Sequence, residues 1–168
     1  MAVIRRTLAA GVFVIAKGVF RLKLFRQSRL KHKLAMGLFR FSAERRHTGA
    51  LSMYGHMLHF RGEGLANRIQ GAIYIERAAM QGDAKSQYQA GRIYEYGFEH
   101  YFKPDPKLAF DYYQRGAKQG HLLATKRLIK VFERGELNQP QDRTQCINWQ
   151  SRLEETPSLT RLNNAVIS

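Results

Sequence analysis

Cysteine and acidic residues are scarce in this 168-residue sequence. Cys146 is the one cysteine, which excludes an intramolecular disulfide framework and a zinc site built from several thiolates. Asp and Glu number 13 against 28 Lys and Arg, so the formal net charge is +15. Such an excess indicates an anionic partner, either a membrane surface or a nucleic acid. The length suits one domain with a modest core rather than a two-domain enzyme.

Motifs of catalysis are also lacking. The glycines at positions 62 and 64 are not followed by the Lys-Ser/Thr pair of a phosphate-binding loop, and no serine stands in a nucleophile elbow. His56 and His59 have no carboxylate at a matching spacing, so packing or surface roles are favoured over metal binding. We therefore predict that the chain is not an enzyme, and we assign it no catalytic residue, no metal site and no cofactor.

The positive charge is concentrated at the N-terminus. Residues 1–43 contain ten Lys and Arg and no Asp or Glu, whereas residues 44–168 contain eighteen and thirteen. Within this segment, residues 7–20 form an apolar run of 14 residues that contains Lys17. A spanning helix needs roughly 20 apolar residues, so the run is short for that purpose. Four roles fit it: a cleaved secretory signal, an organellar transit peptide, a membrane anchor or interfacial helix, and a basic helix packed on the rest of the fold.

Of these roles we favour attachment to a membrane through residues 3–25, because long aliphatic side chains flanked by Lys and Arg suit a bilayer surface. If the helix spans, the larger basic cluster after it places residues 21–168 in the cytoplasm. A targeting peptide would instead imply an exported or organellar protein. The predicted membrane-binding residues are Leu8, Val12, Phe13, Ile15, Val19, Phe20, Arg21 and Lys23.

Residues 24–43 predict a second helix with one amphipathic face. Leu30, Leu34, Leu38 and Phe41 recur at spacings of four, four and three. We expect this helix to cap the domain behind it. Residues 1–43 thus form a basic N-terminal helical segment that is distinct from residues 44–168.

An internal repeat of 35 to 38 residues organises the rest of the chain. The segments that begin at Ala78 and Gly116 match at an offset of 38, and Tyr74 and Tyr112 keep that offset. Trp149 follows Tyr112 by 37 residues. Three copies result, at residues 47–82, 83–120 and 121–157. Because a helix pair cannot bury its apolar face alone, neighbouring copies must supply the core.

Each copy predicts two helices joined by a loop, since its apolar residues recur every three to four positions. In the second copy the first helix covers residues 84–96 and ends before Gly97, which can adopt the left-handed cap conformation. Asp105 is a good N-cap for the second helix. Asn67 and Asp142 stand at its place in the other copies, so we expect all three second helices to begin at a capping residue.

The second copy also carries a recognisable residue pattern: Ala90, Gly91, Arg92, Ile93, Tyr94, Gly97, Asp105, Lys107, Leu108, Ala109, Tyr112, Tyr113, Ala117, Gly120 and His121. This pattern resembles the Sel-one-like repeats, a branch of the tetratricopeptide-like α-solenoids. The resemblance implies an all-α fold, a short right-handed α-solenoid of about three helix-pair repeats after N-terminal hydrophobic and basic helices. The repeat domain is expected at residues 44–157, followed by a C-terminal tail at 158–168.

Both outer copies depart from this pattern. The first has Gly55 and His56 where Ala90 and Gly91 stand in the second, and the third has Glu154 at the position of Ala117. A charged residue on a stacking face suits a terminal repeat that faces water.

Aromatic residues crowd the end of the first helix in the second copy. Tyr94 matches a core position of the repeat. Tyr96, Phe98, Tyr101 and Phe102 either fold back over the helix ends or form a patch that binds a partner, since aromatic residues are favoured interface anchors.

A basic strip is predicted beside these aromatic residues. Gln89, Arg92 and Glu95 recur every three residues off the apolar face of the first helix, and Arg127 and Lys130 take the places of Gln89 and Arg92 in the third copy. We expect Arg92, Arg127 and Lys130, with the aromatic residues, to bind an acidic and partly apolar segment of a protein partner.

The resemblance implies a non-catalytic adaptor, because family members serve mainly in assembling or regulating larger complexes. We therefore predict a protein-interaction scaffold that is associated with a membrane through its N-terminus. The alternative is a nucleic-acid- or ribosome-associated protein that uses the basic arm. That alternative is less favoured, because the arm interleaves its charges with aliphatic stretches rather than with stacking aromatics.

Overall fold

The computed structural model describes residues 2–21 and 29–155, and every regular element in those ranges is an α-helix. The all-α prediction is confirmed. Lys23 and the tail at 158–168 lie outside the described residues. The helices are α1 (Ala2–Arg21), α2 (Arg29–Glu44), α3 (Thr48–Arg61), α4 (Gly64–Met80), α5 (Ala84–Tyr96), α6 (Pro106–Lys118), α7 (Leu122–Arg134) and α8 (Arg143–Glu154).

The chain divides into two compact units, residues 1–83 with α1 to α4 and residues 84–168 with α5 to α8. Within each unit, every described helix packs on its neighbour in sequence. This sequential packing is the arrangement of helix-pair repeats, in which each repeat contacts only its neighbours. Three helix pairs, α3–α4, α5–α6 and α7–α8, follow the two N-terminal helices, at the places where the repeat predicts them.

Capping residues set the helix boundaries in the second unit. α5 ends at Tyr96 as expected, and Gly97 has φ +74°, in the left-handed region that glycine adopts without steric cost. The Oδ1 atoms of Asp105 and Asp142 each accept a hydrogen bond of 2.9 Å from the backbone N–H three residues later. Both aspartates are therefore the N-caps that the sequence predicts.

The first repeat begins its second helix differently. α4 starts at Gly64, three residues before Asn67, and its N-cap residue Glu63 makes no side-chain hydrogen bond there. Asn67 lies in the first turn, where its side-chain amide donates to the Glu63 carbonyl oxygen at 2.7 Å. The prediction of Asn67 as an N-cap was wrong, because only residues 62 and 63 separate α3 from α4 and the helix starts early.

Histidine opens the first helix of two repeats. The Nδ1 atom of His47 accepts a hydrogen bond from the Ala50 N–H at 3.2 Å, and that of His121 accepts one from the Ala124 N–H at 3.3 Å. Burial lowers the pKa of the His47 imidazole, which favours the neutral ring that this bond requires. His121 therefore has the structural role that the repeat pattern indicates.

Aromatic and small residues build the core of the second unit. Tyr113 and Trp149 lie in it with exposed fractions of 1% and 5%. Ala117 of α6 and Ala124 of α7 belong to the same cluster, which confirms that Ala117 lies where the second and third repeats meet. Cys146 is half-buried and packs against this cluster, as expected from its place on the apolar side of α8.

Glycine allows close helix approach in both of the first two repeats. A Cβ atom on Gly55 would lie 2.9 Å from the Ile75 nitrogen, and one on Gly91 would lie 2.7 Å from the Tyr113 ring. Ile75 and Tyr113 are repeat-equivalent at the offset of 38, so Gly55 and Gly91 are equivalent too. The expected departure of the first copy at Gly55 was therefore wrong, because the first helices align at an offset of 36 instead of 35.

The second N-terminal helix packs on the first through a face shifted from the one that the sequence predicts. Ala16 of α1 and Ala35 and Phe39 of α2 are fully buried and form one cluster, with Phe13 packed against it. Leu34 is 55% exposed, so the predicted face through Leu34 is not the buried one. Small alanines let the α1 and α2 backbones approach, and the aromatic rings then fill the remaining space.

Candidate functional site

A nearly buried ion pair links the first helices of the two repeats in the second unit. The Arg127 guanidinium of α7 donates to both carboxylate oxygens of Glu95 on α5, with an Nη2–Oε1 distance of 2.6 Å and an Nε–Oε2 distance of 3.1 Å. The side chains of Arg127 and Glu95 are 17% and 9% exposed. Tyr113 of α6 donates its hydroxyl to Glu95 Oε2 at 2.6 Å. Arg127 Nη1 also contacts Glu136 Oε2 at 2.5 Å.

These contacts fix the charge states of the cluster. Burial alone would raise the pKa of the Glu95 carboxyl, but the hydrogen bonds from Arg127 and Tyr113 outweigh burial and lower that pKa. Burial opposes the Arg127 charge, but hydrogen bonds to Glu95 and Glu136 raise the pKa of its guanidinium. Burial and the Glu95 carboxylate raise the pKa of the Tyr113 hydroxyl, which stays a hydrogen-bond donor. The cluster is thus a fixed, charge-compensated support.

An open cleft of about 440 Å³ adjoins this cluster. Its lining also includes Tyr96, Lys130, Leu137 and Arg134, whose Nη1 lies 3.9 Å from Glu136 Oε1. Tyr96 is 67% exposed, and the Arg134 side chain is 64% exposed. Because Arg127 is neutralised by two carboxylates, Lys130 and Arg134 are the lining cations most accessible to solvent. The cleft therefore combines accessible positive charge with an aromatic and an aliphatic side chain.

The aromatic residues of the loop at 97–105 take both predicted roles, since some fold back over the helix end and one is accessible. Phe102 is 6% exposed and meets the Tyr94 ring edge-on, with 5.7 Å between centroids. The backbones of Phe98 and Phe102 exchange hydrogen bonds of 2.9 and 3.0 Å, which closes the loop. Phe98 is half-buried, whereas Tyr101 is 59% exposed. Phe98 and Phe102 thus fold back over the helix end, and Tyr101 is accessible.

The predicted partner-binding residues separate into groups in the structure. Tyr96, Arg127 and Lys130 line the cleft together, although Arg127 faces two carboxylates rather than open solvent. Arg92 and Tyr101 are exposed but are not among the residues that line the cleft.

The polar strip predicted on α5 does not lie wholly off the apolar face. Gln89 is 7% exposed and Glu95 is half-buried, so only Arg92 of the three has an exposed side chain. The expectation that Gln89 lies off the buried face was wrong, because the buried residues of α5 include the polar Ser86, Gln87 and Gln89 beside Ala90 and Ile93.

Sequence reasoning missed part of the site. Arg134, Glu136 and Leu137 line the cleft but were not predicted. Glu136 and Leu137 belong to the connection between α7 and α8, where no repeat position signals a contact. Glu95 and Arg127 carry opposite charges on the first helices of successive repeats. This was the one signal in the sequence that they form a pair.

The predicted membrane-binding residues occupy two sides of α1. Leu8 and Ile15 are 53% and 59% exposed, and Arg21 is also exposed. Phe20 is 39% exposed, whereas Val12, Phe13 and Val19 are half-buried. None of the helices in residues 2–21 and 29–155 is both long enough and apolar enough to cross a membrane.

A second, smaller cleft of about 230 Å³ lies in the first unit, between α2, α3 and the start of α4. Met36, Met57 and Leu58 provide its apolar lining, and Arg61 and Glu63 are among its polar residues. Within the part of the chain that the structure describes, no three His, Cys, Asp or Glu side chains are grouped so as to hold a metal ion.

Comparison with known proteins identifies the repeat. The sequence profile of the Sel1 repeat matches residues 48–83 and 84–121. No curated protein matches the sequence. A Sel1 repeat protein from Oxalobacter formigenes is similar in structure, with a TM-score of 0.73 and 18% identity over 88% of this chain and 58% of that one.

Two further solved structures share the fold. A protective antigen of uropathogenic Escherichia coli, described as displaying an SLR fold, has a TM-score of 0.63 and 22% identity over 74% of this chain and 26% of its own. An immunity protein from Pseudomonas aeruginosa has a TM-score of 0.59 and 20% identity over 90% of this chain and 58% of its own. The chain thus spans less than two thirds of each of these proteins, and the likeness is one of fold.

The adjacent repeat matches cover α3 to α6, which form two helix pairs with an equivalent close-approach glycine in each. The same all-α fold recurs in solved structures of Sel1-repeat proteins. Folds of this kind commonly serve as protein-interaction scaffolds and are generally non-catalytic. The chain thus contains two Sel1 repeats, at residues 48–83 and 84–121.

Proposed function

We propose that this protein is a non-catalytic adaptor that binds an acidic, partly apolar segment of a partner protein in the cleft beside the Glu95–Arg127 pair. The observation that carries the proposal is the composition of that cleft. The Arg127 charge is compensated by Glu95 and Glu136, so Lys130 and the exposed Arg134, whose Nη1 lies 3.9 Å from Glu136 Oε1, supply the accessible positive charge. Tyr96 and Leu137 supply apolar contact area.

The buried cluster gives this cleft a fixed geometry. Glu95 is tied to both α6 and α7, and Arg127 ties α7 to the connection that contains Glu136. A preformed surface loses little conformational entropy when a partner segment binds. A segment with Asp or Glu beside an aromatic or aliphatic side chain would match both the charge and the apolar lining.

Peptide binding to the purified protein tests this proposal. We expect fluorescein-labelled peptides that alternate Glu with Phe or Leu to bind and to increase in fluorescence anisotropy. Control peptides with Lys in place of Glu should show no such increase. The Lys130→Glu/Arg134→Glu variant should weaken binding at least about tenfold, since two rim charges are reversed. The Lys107→Glu/Lys118→Glu variant makes the same charge change on α6 outside the lining and should bind as wild type. Equal binding by both variants would place the partner elsewhere.

We also infer that the basic N-terminal segment holds the scaffold at an anionic membrane surface. The segment has ten cations and no acidic residue in residues 1–43, and α1 carries exposed apolar side chains at Leu8 and Ile15. Membrane fractions washed with high salt and with carbonate test this attachment. Apolar insertion resists high salt, whereas binding to nucleic acid weakens steeply with it. Release by nuclease would support the nucleic-acid alternative.

A further inference from the structure

We propose that α1 lies in the plane of an anionic membrane surface, with one side inserted among the lipids and the opposite side packed on the first unit. This inference rests on the proposed membrane attachment and adds the orientation of the helix.

The inward side of α1 is already occupied by protein. Ala9 and Ala16 are 1% and 0% exposed. The Phe13 ring lies 4.4 Å from the His47 ring and 5.9 Å from the Phe39 ring, measured between centroids. These contacts join α1 to α2 and to the cap of α3. A helix that crossed the bilayer on its own would give them up.

The outward side of α1 is apolar and uncovered. Leu8, Val14 and Ile15 are 53%, 67% and 59% exposed. Residues 8 and 15 are seven positions apart, so they lie within about 20° of the same side of the helix, two turns from each other. α1 thus buries Ala9 and Ala16 on one side and exposes Leu8, Val14 and Ile15 on the other. Contiguous exposed apolar surface of this kind marks an interaction site.

The positive charge around α1 favours an anionic lipid surface as the partner that covers its exposed apolar side. The first unit, residues 1–83, has fifteen Lys and Arg against four Asp and Glu. Lys17 lies on the flank of α1, with Nζ 5.6 Å from the Phe13 centroid, and Arg21 is exposed at the end of the helix. Cations at the edge of an apolar side are placed to reach lipid headgroups while the aliphatic side chains enter the acyl boundary.

Sedimentation of the full chain with vesicles is the first test. We expect binding to vesicles of phosphatidylcholine with phosphatidylglycerol and little binding to phosphatidylcholine alone. Leu8→Asp/Ile15→Asp changes exposed positions, so the protein should fold, as circular dichroism can check, and its partition coefficient should fall at least about tenfold. Gln70→Asp/Gln150→Asp adds the same charges at exposed positions of α4 and α8 and should bind nearly as wild type.

The depth of two labels in the bilayer is the second test. Leu8→Cys and Ile15→Cys, each in a Cys146→Ser background, accept an environment-sensitive fluorophore whose depth is measured with quencher-bearing lipids. A helix in the membrane plane places both labels at the same shallow depth. A spanning helix separates them by about 10 Å along the membrane normal, from a rise of about 1.5 Å per residue.

The results of these two tests distinguish the orientation of α1 from its attachment to the membrane. Equal shallow depths, with weakened binding of the Leu8→Asp/Ile15→Asp variant, support the in-plane helix. Unequal depths of about 10 Å, or vesicle binding that this variant leaves unchanged, overturn the in-plane orientation and leave the attachment standing. Failure of the wild-type chain to bind anionic vesicles overturns both.

Discussion

Replacing Glu95 by glutamine is expected to destabilise the second unit by about 2–3 kcal/mol at pH 7. The carboxylate accepts hydrogen bonds from Arg127 and Tyr113, and its side chain is 9% exposed. Removing one partner of a buried ion pair typically costs about 3–5 kcal/mol, because a charge is left uncompensated. The expected value is smaller here, since Arg127 keeps its contact with Glu136.

The cost of this substitution should depend on pH. The pKa of Glu95 is lower in the folded state than in the unfolded chain. Its contribution to stability is therefore fully present above the pKa of glutamate in the unfolded chain and is lost as the pH falls through the lower, folded-state pKa. The difference in unfolding free energy between wild type and Glu95→Gln should narrow between pH 7 and pH 3.

Tryptophan fluorescence measures this effect in the second unit alone. The sequence has one tryptophan, and Trp149 is 5% exposed in the core that also contains Tyr113. Urea unfolding followed by its emission gives the free energy of unfolding by linear extrapolation. Glu133→Gln removes an exposed carboxylate on α7 and is the control, with an expected change below about 0.5 kcal/mol. A wild-type midpoint for Glu95→Gln, or the same cost at pH 3 and pH 7, would refute the reasoning.

Four further substitutions test the packing and the caps. Ala117→Glu should cost about 3–5 kcal/mol in the same fluorescence assay, because it forces a charge into the contact between α6 and α7; an unchanged midpoint would contradict the assignment of that contact. Gly91→Ala should cost about 1–3 kcal/mol, because its Cβ would lie 2.7 Å from the Tyr113 ring, which the hydroxyl hydrogen bond to Glu95 holds in place. An unchanged midpoint would mean that the ring moves away to make room. Asp142→Ala should lower the free energy of unfolding by about 1 kcal/mol, because it removes the N-cap of α8. Asn67→Ala should change it by less than about 0.5 kcal/mol, because Asn67 is not a cap. Thermal unfolding measures both changes, and equal costs would contradict the assignment of the caps.

The sequence by itself determined the repeat and most helix boundaries in the second unit. Capping aspartates and terminal glycines act within three or four residues, so their signals are local and readable. The aromatic residues that keep the repeat spacing are central to packing: Tyr74, Tyr112 and Trp149 are 8%, 4% and 5% exposed. Such positions recur because each helix pair presents the same face to its neighbour.

Only the tertiary structure decided which sides of the N-terminal helices are buried and which charges are paired. α1 is apolar over most of its circumference, so its sequence does not show whether the side through Phe13 or the side through Ile15 is buried. The side through Phe13 is buried because it packs on Phe39. The Glu95–Arg127 pair joins residues 32 positions apart. Its geometry depends on how α5, α6 and α7 pack, because a contact between helices is set by their distance and rotation, which no local pattern encodes.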